Sequence, residues 1–183
     1  GVVYYLVRYR RTLVKKNLRN AFPEKSKKEL LKIEREFYHH LCDYFVETIK
    51  TLRLTEEEVQ KRMKFENPEI INRLMKKGSS CLVSLGHYAN WEWVPSIGLY
   101  TTPGVMPGLV YKQLHSDAFD RLFLKIRSRF NSLPIEKRRV YRTLINARDE
   151  RKPVIVGFLS DQRPPKNVTE YWTTFLNQDT LIE

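Results

Sequence analysis

The apolar positions of this 183-residue chain change rhythm near Gly78. Before it, they recur every three or four residues. Leu30, Leu31, Ile33, Phe37, Leu41, Phe45, Ile49 and Leu52 form one stripe behind the capping box Ser26-Lys27-Lys28-Glu29. That spacing predicts a long amphipathic helix over roughly 26–53. Thr55-Glu56-Glu57-Glu58 is a second capping box and opens a short helix. Asn67-Pro68 supplies an N-cap and a first-turn proline before Ile70, Ile71 and Leu74, and Gly78 ends that helix. After Gly78 the apolar residues come in runs of strand length: Cys81–Leu85, Val105–Tyr111, Ser132–Ile135 and Val154–Leu159. Helical patterns lie between them, at about 90–100, 117–130 and 138–150.

Strict alternation of strand and helix predicts an α/β fold: a largely parallel sheet flanked by helices, with the long amphipathic helix N-terminal to it. No internal repeat or low-complexity linker interrupts the chain, and its length fits a single domain over 1–183. The tail from Arg163 to Glu183 reads as loop. In such sheets ligands sit at the carboxyl ends of the strands. His87 follows the first strand and Asp161 the last, so both fall at that edge.

His87 and Glu92 are the first candidates for chemistry. Inside one helix their spacing would set them about 140° apart, out of reach of each other. They meet only where His87 lies on a turn before the helix and Glu92 within its opening turns, a geometry favoured by Gly86 and by Asn90 as an N-cap. A carboxylate accepting from one imidazole nitrogen fixes the tautomer and leaves the other nitrogen to take a hydroxyl proton. That arrangement suits acyl transfer to an alcohol. No Gly-x-Ser-x-Gly is present, and Ser84 lies inside a strand; direct attack by a substrate alcohol needs no enzyme nucleophile. The spacing does not match a zinc helix. His39-His40 read as surface or packing residues, His115 as a loop residue, and Trp91 and Trp93 as core.

Charge widens the picture. Thirty-three Lys+Arg against 21 Asp+Glu give a formal net charge of +12. Such a surface seeks anions: nucleic acid, an anionic membrane face, a phosphorylated ligand or an acidic carrier protein. The basic residues are spread over all segments and no helix-turn-helix, RNP or zinc-finger signature appears, which argues against nucleic acid. Cys42 and Cys81 read as reduced core thiols. Val2–Val7 is too short to span a bilayer, which takes about 20 apolar residues. Its tyrosines followed by Arg8, Arg10 and Arg11 fit either the end of a membrane segment with a basic flank or an ordinary amphipathic start.

Leu85-Gly86-His87-Tyr88-Ala89-Asn90-Trp91-Glu92 resembles the His-x4-Asp/Glu motif of the lysophospholipid acyltransferase superfamily. The Gly-His-(aromatic)-(small)-Asn-Trp-Glu form is similar to the late acyltransferases of lipid A biosynthesis, the lauroyl- and myristoyltransferase type. Arg10-Arg11, Asn17-Leu18 and Ala21-Phe22-Pro23-Glu24 resemble the segment that follows that family's membrane helix. Val110-Tyr111-Lys112 with Asp120 resembles its second block, and Arg127-Ser128-Arg129-Phe130-Asn131 its arginine block. Ser160-Asp161-Gln162-Arg163-Pro164 and Trp172-Thr173-Thr174-Phe175-Leu176 resemble its last block. Where the family commonly has Asp-x-Asp-Tyr-Gly, this chain has Asp161-Gln162-Arg163-Pro164-Pro165, so Asp161 carries over and the second Asp does not.

The resemblance implies a glycerolipid acyltransferase-like fold and transfer of a fatty acyl chain from a thioester to a hydroxyl of a lipid A precursor. His87 would be the general base and Glu92 its orienting acid. Arg127 and Arg129 would bind phosphate or the developing oxyanion, with Lys112 and Asp161 completing the substrate site. Arg127 and Arg129 also fit a solvated helix end, and Asp161 a cap or turn. No metal and no cofactor beyond the acyl thioester co-substrate is implied. The implied partners are acyl carrier protein or acyl-CoA, a phosphorylated glycolipid acceptor and an anionic membrane surface. The implied location is the cytoplasmic face of a bacterial inner membrane, with the family's anchor helix and C-terminal portion outside this chain. An acceptor of another glycerolipid or glycolipid type is the alternative.

Overall fold

In a computed structural model of the chain, residues 3–162 and 171–181 are described, Leu6 by its backbone alone. Both capping boxes close. The Ser26 amide donates to Glu29 at 2.8 Å and the Glu29 amide to Ser26 Oγ at 3.3 Å. The Thr55 amide donates to Glu58 at 2.9 Å and the Glu58 amide to Thr55 Oγ1 at 3.2 Å. They start α2 (Lys27–Lys50) and α3 (Glu56–Arg62). Asn67 stands at the N-cap of α4 (Pro68–Lys76) with a left-handed φ of 53° and no side-chain cap; the fixed φ of Pro68 starts that helix instead.

Two compact units form: the residues up to Glu47 together with those from Asp161 on, and Thr48–Ser160. In the first, a π-helical turn (Val3–Val7) precedes α1 (Arg11–Ala21). Glu34 of α2 is 3% exposed, and Arg11 neutralises it at 3.2 Å while lying 4.1 Å over the Tyr4 ring. Tyr4 meets Tyr38 edge to face at 5.1 Å. The stretch expected to be loop contains a hairpin, β5 (Trp172–Phe175) and β6 (Gln178–Leu181). Its turn residues, Leu176 and Asn177, both take left-handed φ. Leucine carries no turn signal, which is why this reading failed. Residues 163–170, and with them Arg163, Pro164 and Pro165 of the last block, lie outside the described residues.

The second unit holds the sheet: β1 (Cys81–Leu85), β2 (Met106–Tyr111), β3 (Leu133–Glu136) and β4 (Val154–Leu159), in the order β1-β4-β2-β3 with every pair parallel. The predicted α/β fold with helices flanking a parallel sheet is therefore present. On one face Ile135, Val154 and Val156 pack with Val140, Leu144 and Ala147 of α6 (Val140–Asp149). A 3₁₀ helix (Trp91–Leu99) packs against β2, and α5 (Asp117–Arg127) against β3. The expected helix is present but wound as 3₁₀, with Pro95 inside it.

The apolar stripe of α2 is less buried than its period implies. On that stripe Phe37, Phe45 and Ile49 are 41%, 50% and 56% exposed.

Three elements around the sheet are fastened together. Arg129, just past α5, donates through Nη1 to the Thr51 carbonyl and through Nη2 to the Leu54 carbonyl, each at 2.7 Å. The Trp93 indole donates to Thr51 Oγ1 at 2.8 Å. The turn after α5 places Phe130 and Asn131 in left-handed conformations and presses the Phe130 carbonyl against Gly98, where a Cβ would lie 2.0 Å from that oxygen. Only glycine fits that approach. Gly98→Ala is expected to lower unfolding stability by about 1–3 kcal/mol in denaturant titration, since the backbone must move to admit one methyl group. Arg129→Ala is expected to cost about 3 kcal/mol by stranding two carbonyls, and Arg129→Lys to recover half or less, because an ammonium lacks the fork.

Candidate active site

The carboxyl edge of the sheet is formed by Leu85, Tyr111, Glu136 and Leu159, the last residues of four parallel strands. The chain leaves β1 through Gly86 and His87 and reverses over Ala89, whose φ is 49°. A left-handed alanine is uncommon and costs about 1 kcal/mol, and such residues concentrate at functional turns. The reversal puts His87 on a turn and Glu92 in the first turn of the 3₁₀ helix. Asn90 holds the N-cap position without a side-chain cap.

His87 is half-buried, and its ring meets Trp91 edge to face at 4.9 Å. Of the two tryptophans assigned to the core, Trp93 is there, at 8% exposure, while Trp91 lies against the histidine. Glu92 is 3% exposed and takes both arms of a guanidinium: Arg127 Nε at 2.8 Å on Oε2 and Nη2 at 2.5 Å on Oε1. A bidentate pair of this kind is the strongest form of charge-assisted hydrogen bond. Arg127 is the last residue of α5, so the pair also joins α5 to the 3₁₀ helix. Its guanidinium stands 5.1 Å from the Phe123 ring and 6.0 Å from Tyr111.

Tyr111 and Asp120 complete the polar lining. Asp120 is buried and accepts from the Leu114 amide at 2.9 Å, fixing the loop that leaves β2. Burial holds the Tyr111 phenol above its ordinary value; the Asp120 and Glu136 carboxylates push the same way, against Arg127 and Arg139. The hydroxyl therefore keeps its proton at neutral pH. Tyr111 lies inside the Val110-Tyr111-Lys112 block, but nothing in the sequence singles it out beside Lys112. Ser84 Oγ of β1 and Ser160 Oγ, just past β4, lie 2.6 Å apart, a contact that the sequence separation of the two residues hid.

The structure thus brings Glu92 and Arg127 into contact, beside a turn carrying His87. Arg129 is spent on the Thr51 and Leu54 carbonyls. Lys112 is exposed just beyond β2. Asp161 is exposed and belongs to the other compact unit. His39 and His40 are exposed on α2, and Cys42 and Cys81 are free thiols. Among the described residues no three His, Cys, Asp or Glu side chains are grouped to hold a metal ion, and no helix is long and apolar enough to cross a membrane.

The profile of one protein family, described as bacterial lipid A biosynthesis acyltransferase, matches residues 2–180. No curated protein matches the chain. A profile that runs through every strand of the parallel sheet, the His87–Glu92 turn and the Arg127 block, and spans almost the entire sequence, shows that this chain belongs to the bacterial lipid A biosynthesis acyltransferase family.

Proposed function

We propose that this acyltransferase moves a fatty acyl chain from a thioester to a hydroxyl of a phosphorylated lipid A precursor, with His87 as general base. The reading is carried by one observation: the half-buried His87 leaves β1 at the sheet's carboxyl edge, five residues before a buried carboxylate locked by Arg127. The acceptor oxygen attacks the thioester carbonyl carbon while an imidazole nitrogen takes its proton. The tetrahedral intermediate collapses with cleavage of the C–S bond, and the imidazolium returns the proton to the departing thiolate. An ester and a free thiol result. No enzyme nucleophile and no redox step is needed.

Glu92 orients the imidazole and offsets the positive charge that forms on it. Arg127 acts through Glu92 as a positioning residue: its two-pronged bond holds that buried carboxylate in one orientation. Arg129 positions the same region through the Thr51 and Leu54 carbonyls between α2 and α3. Lys112 is proposed as a contact to phosphate on the acceptor. The part given to Asp161, a polar contact to substrate, rests on the family resemblance. The donor is an acyl chain on acyl carrier protein or coenzyme A, both of which offer anionic groups to a chain of net charge +12. The working place is the cytoplasmic face of the bacterial inner membrane, where the anionic leaflet suits the same charge.

The test is acyl transfer from a labelled donor to lipid A precursor, wild type against His87→Ala. Turnover is expected to fall at least about a hundredfold, the scale of a lost general base, with circular dichroism and melting unchanged. Unaltered turnover would remove His87 from the mechanism. Faster transfer to a glycerolipid than to the lipid A precursor would reassign the acceptor.

A further inference from the structure

The first unit carries apolar surface that the acyl-transfer chemistry does not use. Tyr171, Trp172, Phe175 and Leu176 are 70%, 55%, 64% and 46% exposed, all on or beside the β5–β6 hairpin. Strand residues alternate faces, so Trp172 and Phe175 project from opposite sides of the ribbon. Leu176 sits at the turn between the strands. A hairpin that exposes aromatic rings on both sides and an aliphatic residue at its tip is poorly shaped to lie flat on a protein. It suits immersion of the tip in an apolar medium.

The hairpin is fastened to a basic helix. Asn20 of α1 donates to the Gln178 side chain at 3.1 Å, and Asn177 donates to the Ala21 carbonyl at 3.3 Å. α1 has no buried residue. From Val3 to Pro23 the sequence contains Arg8, Arg10, Arg11, Lys15, Lys16 and Arg19 and no Asp or Glu. Except for Arg11, which serves Glu34, these cations are exposed, and so are Tyr5, Tyr9 and Leu13. Tyrosine, tryptophan and cations together are the composition of a bilayer interface.

We infer that the β5–β6 hairpin is a membrane wedge: its Phe175–Leu176 tip enters an anionic bilayer, Trp172 at the other end of β5 stays at headgroup level, and the cations of α1 bind the lipid phosphates. Two independent features point to the same partner. The aromatic hairpin needs an apolar phase, and the acid-free basic helix bonded to it needs an anionic surface. An acidic protein would satisfy the helix and leave the hairpin in water. The purpose of the contact, bringing the site to a lipid acceptor, rests on the function proposed above; the binding itself does not.

The experiment is flotation of the chain with vesicles of equal phosphatidylethanolamine and phosphatidylglycerol, against vesicles of phosphatidylcholine. Binding is expected to the anionic vesicles and to weaken in high salt. Phe175→Ser with Leu176→Ser is expected to reduce it about tenfold or more, and Lys15→Gln with Lys16→Gln to reduce it at low salt without touching the hairpin. Lipids brominated near the headgroup should quench tryptophan emission in the wild type, and the quenching should disappear in Trp172→Phe. Binding that the hairpin variant leaves unchanged, quenching that survives Trp172→Phe, or lysines that matter for an acidic carrier protein but not for vesicles would each overturn the inference. Acyl transfer to an acceptor dispersed in detergent separates the two proposals: the hairpin variant should keep it, and its loss in His87→Ala should leave vesicle binding intact.

Discussion

Glu92 is a carboxylate almost wholly withdrawn from water, and the edge of the sheet is organised around the cation that makes this tolerable. An unpaired charge at that depth would cost several kcal/mol, about enough to undo a small domain. Arg127 answers with a two-pronged bond that fixes direction as well as charge. Because the partners sit on different elements, the bond also fixes the first turn of the 3₁₀ helix against the end of α5. Two residues on, Arg129 ties the end of α5 to the Thr51 and Leu54 carbonyls, in the segment between α2 and α3. The arginine block is thus a short strap with one hand on the candidate site and one on the scaffold.

Rigidity of this kind matters to a base that must meet a hydroxyl at hydrogen-bond distance. His87 stands on a turn, and turns wander unless something at each end is held. Here β1 holds one end through its pairing with β4, and the Glu92–Arg127 bond holds the other. Ala89 absorbs the reversal in a left-handed conformation between them. The site is assembled from short local constraints set on a sheet whose four strands all end at one edge.

Much of this arrangement was legible in the residues. Apolar runs of strand length located all four parallel strands, β1 and β4 with the bounds they have in the structure; β4 reads as a continuous apolar run because both of its faces are largely covered. Both capping boxes predicted their own hydrogen bonds. The His-x4-Glu spacing placed the histidine on a turn and the acid in the helix beyond it. What stayed hidden depended on distance along the chain. Glu92 and Arg127 are 35 residues apart, and nothing in either segment names the other as partner. Arg129 and the Thr51 and Leu54 carbonyls are farther apart still. The hairpin escaped because Leu176 and Asn177 turn without a glycine. The α2 stripe located its helix, but a 3.6-residue period shows that a face is apolar, not that anything covers it.

The most direct test of the account is a double-mutant cycle on Glu92→Gln and Arg127→Met, read as unfolding free energy in denaturant. If the buried pair is the constraint that holds the carboxyl edge, each single change will be strongly destabilising. The double variant will be no worse than either, with a coupling of about 2 kcal/mol or more. Single effects that add, leaving a coupling below about 0.5 kcal/mol, would mean that the two side chains stand side by side without depending on each other.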